Sequence, residues 1–334
     1  MTAAPASPEV DASDCAIVII GRNEGERLRR CLDSCAGAGL RVYVDSNSTD
    51  GSRELARARG VETVELDLSR GFTAARARNA GFARLRERRP DLETVMFVDG
   101  DCEIAPDWIP AALALLRSRP DVVAVCGRRR ERFPQASVYN RLCDIEWNTP
   151  VGEARAFGGD VVVRASALAA AGGYRDDLIA GEEPELCVRL RAAGGKIWRL
   201  EQDMTWHDAG MTRWLQWWRR NVRSGHAFAE GAALHGAPPE RHFVAETRRA
   251  LLWGAALPVA LLLATLAWWP LAWLWLVYPL QWVRVALKLR SAGQPIPWTQ
   301  SAFFLQGRFA EARGALRFWW GRMTERRSAI IEYK

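Results

Sequence analysis

The chain has 334 residues, of which 49% are hydrophobic, and carries a formal net charge of +7. That length admits one large domain with an appendage, or two small domains. The basic balance suits nucleotide phosphates, anionic lipid or nucleic acid, but the arginines are dispersed rather than run together, which argues against nucleic acid. The seven cysteines, Cys15, Cys31, Cys35, Cys102, Cys126, Cys143 and Cys187, are odd in number and form no CxxC pair. This excludes a disulfide framework or structural zinc site as the expectation and favours buried, reduced thiols.

In chain order, residues 1–13 are polar and acidic, lack the apolar stretch of a signal peptide, and are expected to be a disordered lead to a cytoplasmic domain. Cys15 to Ile20 reads as a buried strand and Glu24 to Ala36 as a helix. Val42 to Asp45 and Val61 to Leu66 read as strands on either side of a helix from Ser52. Phe72 to Arg88 follows as a helix, Thr94 to Val98 as a strand, Asp107 to Ser118 as a helix and Val122 to Cys126 as a strand. This alternation predicts a mostly parallel sheet flanked by helices, with ligands beyond the carboxyl ends of its strands. Later, Phe157 to Arg164 reads as a strand. Glu182 to Ala193 reads as a helix closed by Gly194 and Gly195, and Met211 to about Leu234 as a Trp- and Arg-rich helix.

Leu251 to Val283 holds 33 residues with no charge and six of the 16 tryptophans. One helix of that length would reach about 50 Å against about 30 Å of bilayer hydrocarbon. Pro258, Pro270 and Pro279 interrupt it, so two short spans are expected, Leu251 to Trp269 and Pro270 to Leu287. Arg248 and Arg249 before them, and Arg284, Lys288 and Arg290 after, put both ends on the cytoplasmic side. Phe303 to Met323 reads as an interfacial amphipathic helix. The expected organisation is a catalytic domain at 14–235, a linker at 236–250, the paired spans at 251–287 and a basic amphipathic region at 288–334.

The chemistry concentrates at strand ends. Asp99-Gly100-Asp101 ends the apolar strand Val95-Met96-Phe97-Val98. Two carboxylates one residue apart can hold Mg²⁺ or Mn²⁺, which bridge carboxylates to phosphates; an ordinary turn has the same composition. Asp45-Ser46-Asn47-Ser48-Thr49-Asp50-Gly51-Ser52 follows the second strand, where its polar side chains can cap a helix or meet a nucleotide.

Together, Ile19-Ile20-Gly21-Arg22-Asn23-Glu24, the Asp45 loop, Ala77-Arg78-Asn79-Ala80-Gly81, Asp99-Gly100-Asp101, Gly172-Gly173-Tyr174 and Gly181-Glu182-Glu183-Pro184-Glu185-Leu186 resemble the ordered motifs of family-2 glycosyltransferases. The resemblance spans residues 14–235 and implies a GT-A fold and an inverting transfer from a nucleotide sugar. It puts Asn23, Glu24 and Asp45 in the nucleotide pocket, with Arg78 and Asn79 near the donor. Asp101 is implied as the metal ligand, with Asp99 close to the metal or the ribose. The base position is Glu183, with Glu182 beside it; the family more often has Asp there. His207 in Trp206-His207-Asp208, which follows a short strand, is a candidate further metal or phosphate ligand, or a structural histidine. Gln216-Trp217-Trp218-Arg219-Arg220 approximates the QxxRW motif of processive relatives, with Arg220 in place of its Trp. Arg219 and Arg220 can clamp a diphosphate, or the helix can rest on lipid headgroups.

The expected partners are a nucleotide sugar, with UDP favoured, a lipid-linked or saccharide acceptor, and the inner membrane, as in bacterial polysaccharide or glycolipid synthesis. Rival readings are a sugar-nucleotide nucleotidyltransferase and a catalytically inactive membrane scaffold. No GxGxxG follows the first strand, no GxxxxGK[ST] occurs, and no Gly-rich, Lys-containing nucleotidyl loop lies near the N-terminus. Asp99, Asp101 and Glu183 are all present, which argues against a scaffold.

Overall fold

The computed structural model describes residues 11–69 and 71–324. Residues 1–10 of the expected disordered lead (1–13) and the last part of the expected basic C-terminal region, 325–334, lie outside them; the end of that lead is ordered, with Ala12–Asp14 in a 3-10 turn capped by Asp11. The chain forms two compact units, one of Met1–Leu178 with Glu182–Gly210 and one of Ile179–Gly181 with Met211–Lys334.

The first unit is built on nine strands: β1 (Ala16–Gly21), β2 (Arg41–Asp45), β3 (Glu62–Glu65), β4 (Thr94–Asp99), β5 (Cys102–Ile104), β6 (Val122–Glu131), β7 (Gly152–Ala154), β8 (Val161–Arg164) and β9 (Lys196–His207). Their order is β3-β2-β1-β4-β8-β6-β9-β5, with β7 on β9. The β1–β2, β1–β4, β2–β3 and β6–β9 pairs are parallel. The β4–β8, β5–β9, β6–β8 and β7–β9 pairs are antiparallel. The sheet is thus mixed rather than mostly parallel, because β8 is inserted antiparallel between β4 and β6 and the short strands β5 and β7 run antiparallel to β9, while β6 and β9 stay parallel.

Helices α1 (Glu26–Ser34), α2 (Ser52–Ala58), α3 (Ala74–Arg88), α4 (Trp108–Ser118), α5 (Val138–Glu146), α6 (Ala165–Ala170) and α7 (Glu182–Ala192) flank this sheet. Each buries residues at helical spacing, as with Leu28, Cys31 and Leu32 in α1 and Trp108, Ile109, Ala112, Leu113 and Leu116 in α4. Thr73 caps α3 by accepting from the Arg76 N–H at 3.1 Å. Gly81 lets α3 lie directly on β1, since a Cβ there would collide with Val18. Arg78 is thereby drawn over the sheet edge, 2% exposed. All seven cysteines are free and buried, as expected.

The second unit comprises α8 (Trp214–His235), α9 (Val244–Leu251), a π-helical turn (Leu252–Ala256), α10 (Leu257–Ala267), a 3-10 segment (Trp269–Leu276), α11 (Val277–Ser291) and α12 (Pro297–Met323). Gly225 and Gly314 bring α8 and α12 into backbone contact, and Ala229, Ala315 and Phe318 fill the seam. This packing assigns α8 to the helical unit, so the first compact unit closes at Gly210; the expected domain extends to residue 235. Residues 236–250, expected as a linker, contain most of α9. The expected interfacial helix is α12, which buries Gly307, Ala310, Glu311 and Ala315 while Leu316 and Trp320 face outward.

Among the described residues one helix, Val244–Ala267, is long and apolar enough to cross a membrane. The expected second span, Pro270 to Leu287, is no such helix. The chain leaves α10 at Trp268 with φ −153°. It then runs through the 3-10 segment into α11, which carries Arg284, Lys288 and Arg290. Leu266, Trp269 and Leu280 are 74%, 79% and 68% exposed, large apolar side chains of the kind that mark interaction sites where they gather.

Candidate active site

The site collects where β1, β4 and β9 end. β1 and β4 pair in register from Ala16 and Val95 to Ile20 and Asp99, so the β4 end abuts the Gly21–Glu24 turn. Gly100 donates its N–H to the Ile20 carbonyl at 2.7 Å. The β5–β9 register sets Cys102 opposite His207, which brings Asp101 to the end of β9.

Asp99 is a hub for two arginines. Its Oδ1 accepts from Arg78 Nη2 at 3.0 Å, and its Oδ2 from Arg129 Nη2 at 3.2 Å. Arg129, on β6, also lies 3.4 Å from Asp160 Oδ2 and over the Trp147 ring. Asp160 is fully buried. It accepts from the Asp99 N–H at 3.1 Å and from Thr205 Oγ1 at 2.6 Å. Gly159 makes this possible, because a Cβ there would stand 2.5 Å from Asp99 Oδ2.

Arg78 also reaches the start of α7. Its Nη1 is 3.2 Å from Glu182 Oε1 and 3.0 Å from Glu183 Oε1. Three carboxylates from β4 and α7 thus share one planar guanidinium, an arrangement a point-charge lysine could not hold. Burial, then the Glu182 charge, raise the Glu183 pKa to about 7 against the opposing pull of Arg78. At neutral pH that carboxyl sits near its midpoint, where a proton acceptor is most useful.

A second cluster surrounds Asp101, 5% exposed. His207 Nε2 lies 3.2 Å from Asp101 Oδ2, and Nδ1 lies 3.7 Å from Glu131 Oε2. Burial, then the Arg129 cation, hold the His207 pKa below the ordinary imidazole value, so the ring is neutral at pH 7. Trp147 packs edge-on against it at 4.8 Å. Glu131 is fixed by Asn140 Nδ2, the Phe133 N–H and the Ala209 N–H, each at 3.1 Å. Ligand atoms of Asp101, Cys102 and His207 lie within 4.8 Å of one another, as do those of Asp99, Cys102 and Asp160.

The other expected site residues are placed as follows. Asn23, at φ 56°, accepts from the Thr49 N–H at 2.7 Å, which ties the β1 turn to the Asp45 loop. Glu24 pairs with Arg27 at 2.7 Å. Asp45 is 1% exposed; it accepts from the Ser48 N–H at 2.8 Å and from Tyr43 OH at 3.1 Å, so it shapes its own loop. Asn79 faces away from Arg78 toward the Gly172–Tyr174 loop. There its amide bonds the Tyr174 N–H and C=O at 2.9 and 2.7 Å and Asp176 at 2.6 Å. Arg219 and Arg220 belong to α8 in the helical unit, where Gln216 accepts from the Thr212 and Arg213 N–H groups at the helix start.

Sequence reasoning missed Arg129, Glu131 and Asp160. Arg128-Arg129-Arg130-Glu131, directly after an apolar strand, and Asp160 after Gly158-Gly159 were the available signals. Their meaning depends on irregular β6–β9 pairing, which shifts register between Cys126 and Arg128 and again between Arg128 and Arg129.

A sheet ending in paired aspartates, a histidine and an arginine-bound glutamate pair defines a GT-A-like α/β protein. Residues 16–160 match the family model described as Glycosyl transferase family 2. Glu182, Glu183 and His207 lie beyond the matched stretch. No curated protein matches the sequence. Among solved structures, the mannosyltransferase PcManGT from Pyrobaculum calidifontis, in complex with GDP-Man and Mn²⁺, is similar with a TM-score of 0.63 and 20% identity, covering 92% of this chain and 88% of that one. S. aureus TarS, residues 1–349, is similar with a TM-score of 0.51 and 14% identity, covering 91% of each chain. At these identities the likeness shows a shared fold.

Proposed function

We propose that the chain is an inverting, divalent-cation-dependent glycosyltransferase, moving a sugar from a nucleoside diphosphate donor to a hydroxyl acceptor at a membrane surface. The observation that carries this reading is Arg78, which holds Glu183 of α7 and Asp99 of the Asp99-Gly100-Asp101 turn on one guanidinium at 3.0 Å each.

The residues present fit a cation. His207 Nδ1 is buried without a hydrogen-bond partner and faces Glu131. With the proton on Nδ1, the Nε2 lone pair and an Asp101 oxygen confront one another, an arrangement that a divalent cation completes. Carboxylate with imidazole suits Mn²⁺, and carboxylate alone suits Mg²⁺. Cys102 is set aside as a ligand because its Sγ already accepts from Arg129 Nη2 at 3.1 Å and these ions prefer oxygen and imidazole donors to thiolate. Asp101 and His207 would hold the ion, with Asp99 beside them. A bound cation supplies positive charge against the departing diphosphate.

In the transfer, Glu183 takes the acceptor hydroxyl proton while that oxygen forms its bond to the anomeric carbon. The bond from that carbon to the diphosphate oxygen breaks on the opposite face, and the nucleoside diphosphate leaves with the electron pair. Arg78 fixes the direction of Glu183, and Glu182 keeps its pKa high. Asn23, Glu24 and Asp45 form the loops of the nucleotide pocket.

The sequence favours a UDP-sugar, and the similar mannosyltransferase holds GDP-Man, so a donor panel includes both nucleotides. Purified full-length protein with Mn²⁺ is expected to release nucleoside diphosphate from one member, and chelation is expected to stop it. Asp101→Ala is expected to be inactive yet folded. Release of no nucleoside diphosphate from any donor would support the scaffold reading; pyrophosphate formation would support the nucleotidyltransferase. The acceptor is proposed as a lipid-linked saccharide, and the location as the cytoplasmic face of the inner membrane. The exposed apolar surface of α10, the 3-10 segment and α11, with basic residues on either side of it, supports both.

A further inference from the structure

We propose that the helical unit contains a binding site for the phosphate headgroup of an anionic membrane lipid, in a cavity between α9, α11 and α12. This goes beyond glycosyl transfer and rests only on the reading that this unit meets a bilayer. The cavity encloses about 350 Å³, and its lining includes Arg249, Trp253, Lys288, Leu289, Phe304 and Arg308. Three cations from three helices converge there, and no acidic side chain lines the walls. Arg249 and Arg308 each pair with one carboxylate of their own helix, Glu246 at 2.8 Å and Glu311 at 2.6 Å. Lys288 has no acidic partner among the described residues.

The apolar part of the wall decides the ligand class. A free anion needs no contact with Trp253, Leu289 and Phe304, whereas a headgroup carrying acyl chains uses cations and apolar surface together. On the same helix as Lys288, the side chains of Leu280 and Leu287 are exposed, so apolar surface continues outward beside the cations.

The cavity is fixed by the backbone. Pro258 has no N–H to give the Gly254 carbonyl, and the widened π-helical turn over Leu252–Ala256 accommodates that break. Tyr278 OH donates to the Trp253 carbonyl at 2.7 Å, which ties the turn to α11. A Cβ on Gly254 would collide with the Arg308 carbonyl, so this glycine sets Arg308 of α12 beside Trp253. Ser301 Oγ donates to the Trp282 carbonyl at 2.7 Å and closes α11 onto α12.

The test uses full-length protein with phosphatidylcholine vesicles, with or without phosphatidylglycerol, and a phosphatidylglycerol analogue bearing a photoreactive group on its acyl chain. After irradiation, labelled residues are mapped by mass spectrometry. Labelling is expected at Trp253, Leu289 or Phe304, suppressed by excess phosphatidylglycerol but not by phosphatidylcholine or inorganic phosphate. Lys288→Gln is expected to reduce it about fivefold, the effect of one basic charge near a membrane surface. Lys288→Arg should restore it, and Arg290→Gln, on the same helix outside the cavity, should lower the amount of protein on the vesicles but not the cavity label per bound protein. Equal labelling by a phosphatidylcholine analogue, labelling confined to residues 268–276, or displacement by inorganic phosphate would overturn the lipid site. Protein that stays in the supernatant with both vesicle types would overturn the membrane reading as well. Protein that pellets without label in the cavity would overturn the lipid site alone.

Discussion

At the scale of residues, the site is a set of carboxylates whose charges are balanced by two arginines, with a neutral histidine beside Asp101. Glu183 has its pKa raised from 4.5 to about 7, so kcat/KM is expected to rise through about pH 7 as this carboxyl loses its proton; a profile flat from pH 5 to 8 would remove it as the base. The same shift bears on stability. A carboxyl that binds its proton more tightly when folded stabilises the fold fully below pH 4.5 and loses that contribution as pH rises through about 7. Glu183→Gln lacks the penalty, so its melting temperature relative to wild type is expected to increase from pH 5 to pH 8. Glu131 is the positioning partner of His207, in the manner of carboxylates that back metal-bound imidazoles. Glu131→Ala is expected to weaken Mn²⁺ binding by about 10- to 100-fold in calorimetry, while circular dichroism stays unchanged. The pairing of Asp99 with Asp101 and the presence of Glu183 were legible in the sequence. The partners Arg129, Glu131 and Asp160 were not, since no local pattern shows which of three consecutive arginines a bulged strand turns inward.

At the scale of elements, the parallel half of the sheet follows from alternation that a one-dimensional reading captures well. Helical periodicity and short apolar runs place β1 to β4 and α1 to α4 within a few residues. β9 is legible only as a short strand ahead of Trp206, because Lys196–His207 mixes Lys, Arg, Glu, Gln and Asp with its apolar residues and lacks the uniform run of a buried strand. Its pairing with β5, β6 and β7 makes it a strand, a tertiary effect that overrides local pattern. Glycines explain why motifs have their spacing. In Ala77-Arg78-Asn79-Ala80-Gly81, the last residue sets α3 against Val18 so that Arg78, three positions earlier, reaches the strand ends. Gly81→Ala is expected to cost about 1–3 kcal/mol by overpacking, measured by denaturant unfolding, and to lower turnover by displacing Arg78. A variant with wild-type stability would show that α3 can retreat without penalty.

At the scale of the whole molecule, the apolar C-terminal stretch was visible from composition, but its form was not. Prolines 258, 270 and 279 suggested two equal spans, whereas the chain makes one long helix and a return through a 3-10 segment into a charged helix. Removing everything from Leu251 would strip α12 from α8 and confound folding with anchoring. The triple variant Leu266→Asn, Trp269→Asn, Trp273→Asn changes only exposed side chains. It is expected to move the protein from the membrane pellet to the soluble fraction with its donor turnover intact. A triple variant that still sediments with membranes would show that this apolar surface is not the anchor.

In the proposed displacement everything turns on Glu183 as the proton acceptor beside a cation held by Asp101. Its most direct test is donor turnover by Glu183→Gln at saturating nucleotide sugar and acceptor, with Mn²⁺ and donor affinities measured on the same preparation. Turnover is expected to fall by at least about 10²-fold with both affinities retained. A variant that turns over at nearly the wild-type rate would contradict the assignment of Glu183 and, with it, the proposed displacement.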